Sequence, residues 1–270
     1  MKVLFIGDVC GRAGRRAVAT LLPALVERHG IDFTIANGEN AAGGIGITAK
    51  TADELLGLGI DVLTSGNHIW HNREIVSYVE TSERLLRPAN YPPGTPGRGA
   101  RVYESASGER VGVLNLEGRV FMTDLDCPFR VGERELDSLG PADVVIVDIH
   151  AEASAEKQAL GWHLAGRVSA VLGTHTHVQT ADERILEGHT AYITDVGMTG
   201  PVDSVIGMKR ESSIRRFLTQ LPQRFEPAKG PALLCGVVVD VGRDGAARSI
   251  ERVAEPGSLE DDAGKEGTFR

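Results

Sequence analysis

The sequence predicts an α/β protein: two sheets packed face to face, with helices outside, in one domain. Three observations predict it. Short β-branched runs alternate with stretches of helical periodicity early in the chain, the order of a βαβαβ unit with a parallel sheet. Several of these runs are apolar throughout rather than alternating, as strands covered on both faces are. Each run also stops at polar residues, where open parallel sheets bind their ligands, beyond the carboxyl ends of the strands.

Residues 3–6 are a continuous apolar run ending at Gly7-Asp8. Gly11-Arg12-Ala13-Gly14 reads as a flexible turn. A helix follows, with Ala17, Val18, Leu21, Leu22, Leu25 and Val26 as its apolar stripe; Pro23 kinks it or lies on its open face, and Gly30 stops it. Residues 31–36 form a second strand ending at Asn37-Gly38-Glu39-Asn40, then a mobile loop, Gly43-Gly44-Ile45-Gly46. A helix over 48–58 leads to a third strand, 61–64, which ends at Ser65-Gly66-Asn67-His68. Residues 87–99, rich in Pro and Gly, cross the surface. Residues 100–104 and 110–116 form a hairpin around Ser107-Gly108, and 117–130 a loop able to cover part of a site. Residues 143–149 are a buried strand ending at His150, 153–166 a helix, and 168–172 a strand ending at Gly173-Thr174-His175-Thr176-His177. A strand over 190–194, a loop over 200–207, a basic amphipathic helix over 212–221 and a closing hairpin, 232–241 with 247–253, complete the domain, 1–253; residues 254–270 read as a polar, flexible tail.

The 270 residues are 41% hydrophobic and 24% charged, ordinary for a globular chain. A net charge of −8 argues against a general affinity for nucleic acid or membrane surfaces, so neither is expected as a partner. An acidic protein still binds phosphate if metal cations supply the positive charge. Cys10, Cys127 and Cys235 are odd in number and widely spaced, which implies neither a disulfide framework nor a CxxC zinc site. The N-terminus enters a strand pattern directly, with no signal peptide or membrane span, and the reading is a cytoplasmic protein.

In an extended segment, side chains at i and i+2 point the same way, so His175 and His177 can converge on one small volume, as a metal pair requires. Alone the pattern is a modest signal, more often two polar loop residues than a metal site. It gains weight because four other strand ends carry only Asp, Glu, Asn or His: Asp8, Glu39-Asn40, Asn67-His68 and His150. Mixed oxygen and nitrogen donors suit Mn, Fe or Zn. Together these donors fill two sites with Glu39 shared, and two metals roughly 3.5–4 Å apart clamp a phosphoryl group and activate a water.

This ordered set resembles the calcineurin-like metallophosphoesterases: an Asp after the first strand, an acidic bridge after the second, Gly-Asn-His after the third, a lone His, then a His-x-His. Here these are Asp8, Glu39, Gly66-Asn67-His68, His150 and His175-Thr176-His177. The Asn-Gly-Glu-Asn block and Asp195-Val196-Gly197-Met198-Thr199-Gly200 resemble the YmdB-type branch, the 2',3'-cyclic-nucleotide 2'-phosphodiesterases. The resemblance implies a four-layer α/β/β/α sandwich of two mixed sheets and phosphodiester hydrolysis with two divalent ions, iron or manganese, zinc being the alternative. It implies a small phosphodiester substrate, a cyclic nucleotide. Asp8, Glu39, Asn40 and His177 are expected at the first metal, Glu39, Asn67, His150 and His175 at the second, with His68 over the departing oxygen. The superfamily's Asp-x-His is here Asp8-Val9-Cys10, so Asn40 is expected to replace the missing imidazole and Cys10 to stay a buried small hydrophobe.

Other readings are a phosphate- or nucleotide-sensing regulatory protein, a phosphomonoesterase, and a zinc amidohydrolase barrel, in which the His-x-His would follow the first strand. His29, His163 and His189 are read as surface or helix-end residues, His71 as a surface residue or one behind the ligands, Trp70 and Trp162 as core, and Arg210, Arg215 and Arg216 as a solvated helix face. Phe121 and Met122 are the candidate interface of a homo-oligomer.

Overall fold

A computed structural model describes residues 1–257. The chain runs β1 (Lys2–Ile6), α1 (Gly11–His29), β2 (Phe33–Asn37), α2 (Ala49–Gly57), β3 (Val62–Thr64), α3 (Ile75–Thr81), β4 (Ala100–Glu104), β5 (Arg110–Glu117) and α4 (Pro128–Ser138). It continues β6 (Val144–His150), α5 (Ser154–Leu164), β7 (Ala170–Thr174), β8 (Arg184–Leu186), β9 (Thr190–Ile193), β10 (Gly200–Pro201), α6 (Arg210–Thr219), β11 (Ala232–Val241) and β12 (Ala247–Pro256). One sheet has the order β10-β11-β1-β2-β3, with β12 on β11; the other is β4-β5-β6-β7-β9-β8. Both are mixed: β1, β2 and β3 are parallel while β11 is antiparallel to β1, and β5, β6, β7 and β9 are parallel with antiparallel edges.

Strand alternation sorts the side chains into three apolar layers. Val3, Phe5, Ile35, Val237 and Val239 from the first sheet meet Val113, Ile146, Leu172 and Ile193 from the second. Leu4 and Ile6 point the other way, onto Val18, Leu22 and Leu25 of α1 and Leu55 of α2. Leu116, Val147, Ile149 and Val171 do the same beneath Val131 of α4 and Leu160 and Leu164 of α5. The architecture is thus the expected four-layer α/β/β/α sandwich, and an eight-stranded barrel is excluded. Among the described residues no helix is long and apolar enough to cross a membrane.

Several expectations need correction. The helix α1 starts at Gly11, not after Gly14, and continues through Pro23, whose ring lies on its exposed side. The helices α3 and α4 and the short strands β8 and β10 were not expected; α3 and α4 each bury only two or three residues, too few for a readable stripe. Trp162 is 52% exposed rather than core, whereas His189 is half-buried, its ring nitrogen 3.3 Å from the Val168 carbonyl. Phe121 is 90% exposed, but Met122 packs on the outer layer under α4 and α5, so the two do not share a surface. The strand β12 carries the sheet to Pro256, past the expected domain edge at residue 253; most of the expected tail, residues 258–270, lies outside the described residues.

Candidate metal centre

Two sheets meet at one edge and bring different chemistry to it. The ends of β1, β2 and β3 deliver Asp8, Glu39, Asn40 and Asn67, all oxygen donors; the ends of β6 and β7 deliver His150, His175 and His177. Asp8, Glu39 and His150 have no exposed surface. Gly66 brings the third strand's end against this cluster, and a Cβ there would overlap the His150 ring and Glu39 Oε2.

One group of donors surrounds His150 Nε2. Glu39 Oε1 lies 2.9 Å from it, Asn67 Oδ1 3.1 Å and His175 Nδ1 3.0 Å. Glu39, His150 and His175 can each present one ligand atom within 4.8 Å of the others. The second group is looser. His177 Nε2 is 3.9 Å from Asp8 Oδ1 and 3.2 Å from Asn40 Nδ2, which is itself 3.2 Å from Glu39 Oε1. Asp8 Oδ1 is buried with no hydrogen-bond partner, while Oδ2 accepts the His175 N–H at 3.0 Å. An orphaned carboxylate oxygen and ring nitrogens facing one another fit a cation-binding site. Asn40 turns its Nδ2 toward the cluster; ligation needs the oxygen there, a half-turn of an isosteric amide.

Each histidine has its remote nitrogen engaged, which leaves the other free for metal. His150 Nδ1 is 2.8 Å from Thr174 Oγ1, which donates to Asp148 Oδ1 at 2.7 Å. Thr64 Oγ1 and Asn37 Nδ2 donate to Asp148 Oδ2 at 2.6 and 3.0 Å. His175 Nε2 faces Glu152 Oε2 at 3.2 Å, and His177 Nδ1 donates to the Ile206 carbonyl at 3.0 Å. His150 Nε2, His175 Nδ1 and His177 Nε2 are therefore the ligating atoms on offer. The histidines do not converge by extended-chain periodicity as expected: His175 and His177 have φ of 98° and 64°, and the left-handed turn sends them to different groups.

Burial raises the Asp8 carboxyl above its ordinary range. Burial also opposes charge on Glu39 and His150, but their mutual attraction wins, holding Glu39 down to about 2 and His150 up to about 9. His175, desolvated beside His150, is pushed down to about 3. Burial lowers His68, whose backbone N–H donates to Glu39 Oε2 at 3.1 Å. Burial, with Asp8 adding, pushes the Cys10 thiol up to about 12; its sulfur lies beside Gly207.

Sequence reasoning missed four groups. Glu117 ends β5 opposite His150 in register; it is fully buried beside Tyr91, and burial raises it to about 7. It was legible only if β5 was known to run parallel to β6, which the hairpin with β4 concealed. Asp148, one strand pleat before His150, left no signal in an apolar run; burial raises it to about 6. Glu152 and Lys157 look like solvated residues around a helix start.

A family profile described as YmdB-like protein matches residues 4–253. The chain is 49% identical over 255 residues to the 2',3'-cyclic-nucleotide 2'-phosphodiesterase of Bacillus subtilis (strain 168), covering 94% of this chain and 96% of that one. Among solved structures, a hypothetical protein from Thermus thermophilus superposes with a TM-score of 0.90 at 45% identity, covering 96% of this chain and all of that one. A novel phosphatase from Mycoplasma pneumoniae superposes at 0.89 with 34% identity, covering 95% and 93%.

Proposed function

The chain belongs to the YmdB-like protein family, and from that premise we propose that it is a metal-dependent phosphodiesterase opening 2',3'-cyclic nucleotides. The observation that carries this reading is the meeting of oxygen and nitrogen donors at one sheet edge, with Asp8 Oδ1 left unpartnered. Asp8, Glu39, Asn40 and His177 would hold one divalent ion; Glu39, Asn67, His150 and His175 would hold the other. Iron or manganese suits hard carboxylate and amide oxygens beside imidazole, with zinc the alternative. Such ions would supply Lewis acidity toward the phosphoryl oxygens and would acidify a bound water.

The chain's own residues do the rest. His150, His175 and His177 are kept in fixed tautomers by Thr174, Glu152 and the Ile206 carbonyl. His68 follows Asn67 in the chain and its backbone N–H donates to Glu39 Oε2, so it would stand beside the cluster, over the departing oxygen. Water oxygen bonds to phosphorus as the bond to the 2'-oxygen breaks; the departing oxygen takes a proton, leaving a 3'-phosphate. Burial lowers the His68 pKa, and its ring would donate to the departing oxygen as general acid. The substrate is small and the working compartment the reducing cytoplasm, in keeping with three free cysteines.

The test is a substrate panel with Mn²⁺ and with Fe²⁺: 2',3'-cyclic, 3',5'-cyclic and monoester nucleotides. Preferential opening of the 2',3' ring to the 3'-phosphate is expected. Preference for 3',5' rings or monoesters, or binding without turnover at every metal supplement, overturns the assignment.

A further inference from the structure

Lys157, on α5, is fully buried, and so is Asp195, just past β9. Nζ and Oδ2 are 2.8 Å apart. Desolvating two charges is unfavourable enough that a buried pair is weak evidence for stability alone. What distinguishes this pair is its third member. Asp195 Oδ2 accepts both the backbone N–H of Thr176 at 3.0 Å and its Oγ1–H at 2.6 Å, and Lys157 Nζ reaches the same Oγ1 at 3.4 Å. Asp195 Oδ1 accepts the Gly197 N–H at 2.8 Å. Thr176 is the residue between the two metal-ligand histidines, and both neighbours hold the left-handed backbone that non-glycine residues adopt only where the surroundings impose it. The approach is built in from the strand as well: a Cβ on Gly173 would lie 2.9 Å from Lys157 Cδ and overlap the Thr194 carbonyl, so the lysine stem passes only beside glycine.

We propose that Lys157 and Asp195 form a positioning device for the metal-ligand loop, clamping Thr176 so that His175 and His177 part, one to each metal position. The inference rests on the two-site reading above and gives the Asp195–Gly200 block a role. Lys157 touches neither substrate nor reacting atoms; it acts through Asp195 and Thr176.

The test uses metal-free full-length protein titrated with Mn²⁺ in the calorimeter and followed by electron paramagnetic resonance. Thr176→Val removes the clamped hydroxyl and keeps the branched shape. Lys157→Met with Asp195→Asn removes both charges at similar volume. The expected result is Mn²⁺ affinity about tenfold weaker in the double variant, with a smaller loss in Thr176→Val. The exchange-coupled signal of paired ions should give way to that of isolated ions, at an unchanged metal-free melting temperature. Two ions bound at wild-type affinity with an unaltered coupled signal in both variants overturns the clamp. Should the double variant fail to fold, Thr176→Val decides by the same readings. Wild-type protein that takes up fewer than two ions overturns the two-site reading itself, and the clamp with it; two ions in wild type with unaffected variants overturns the clamp alone.

Discussion

His68 is the residue on which turnover and metal binding should separate. It ligates nothing in the proposed scheme, so His68→Ala should keep full metal content by elemental analysis and lose roughly 10²–10⁴-fold in turnover. Wild-type turnover in that variant would remove His68 from the reaction. The Asp8-Val9-Cys10 departure gives a second comparison. Asn40→Ala should leave the site nearest His177 depleted of metal in a folded protein, while Cys10→Ala, altering a protonated thiol beside Gly207, should leave both sites filled. Depletion by the cysteine change alone would reverse the roles. At this scale residue identity was legible and residue geometry was not. The donors Asp8, Glu39, His150, His175 and His177 stand out because each interrupts or ends an apolar run. The turn that splits His175 from His177 is imposed by Asp195 and Lys157, distant in sequence, so no local pattern announces it.

The strand end is the working element, and it depends on what is absent at Gly66 as much as on the donors. Gly66→Ala should drive a methyl group into the His150 ring and Glu39. Far-ultraviolet circular dichroism should stay native while Mn²⁺ binding falls by an order of magnitude or more, as ligand displacement does; undiminished binding would mean that the strand end yields. The strands with covered faces were legible, and so were α1, α2 and α5, because burial on one side leaves a periodic stripe. The elements that escaped are the sparsely buried ones: α3 rests on Ile75 and Val79, and β10 is two residues long. The order of strands was not legible either. Pairing of β11 with β1 joins residues from opposite ends of the chain, and propensity carries no information about such partners.

Above about pH 6.5 the buried charge of the whole molecule responds to pH in one direction, the lowered groups Glu39 and His175 acting only in acid. Without metal, Asp148 and Glu117 are raised to about 6 and about 7, and His150 to about 9. Each binds its proton more tightly folded than unfolded, so its stabilising contribution is whole below its ordinary value and is lost as pH rises through the folded one. For His150 that window runs from 6.5 to about 9, and for Glu117 from 4.5 to about 7. Glu39, lowered from 4.5 to about 2, loses its contribution only in acid. Metal-free protein should therefore melt at a lower temperature at pH 9 than at pH 6. Saturating Mn²⁺ should raise the melting temperature and flatten the upper part of that slope, since His150 then gives up its proton to ligation. Calorimetry across pH checks this; a metal-free protein that gains stability toward pH 9 would refute it.

The division of donors between the two sheets also has a consequence for how the protein is made. The oxygen donors leave the ribosome before the imidazoles. The strand β11, which flanks β1 in the middle of the first sheet, follows both sets of donors. Until then β1, which holds Asp8 in place, lacks one of its two neighbours. The donor cluster is thus held by its full sheet only once β11 has paired with β1, so metal binding and closure of the first sheet are expected to be coupled.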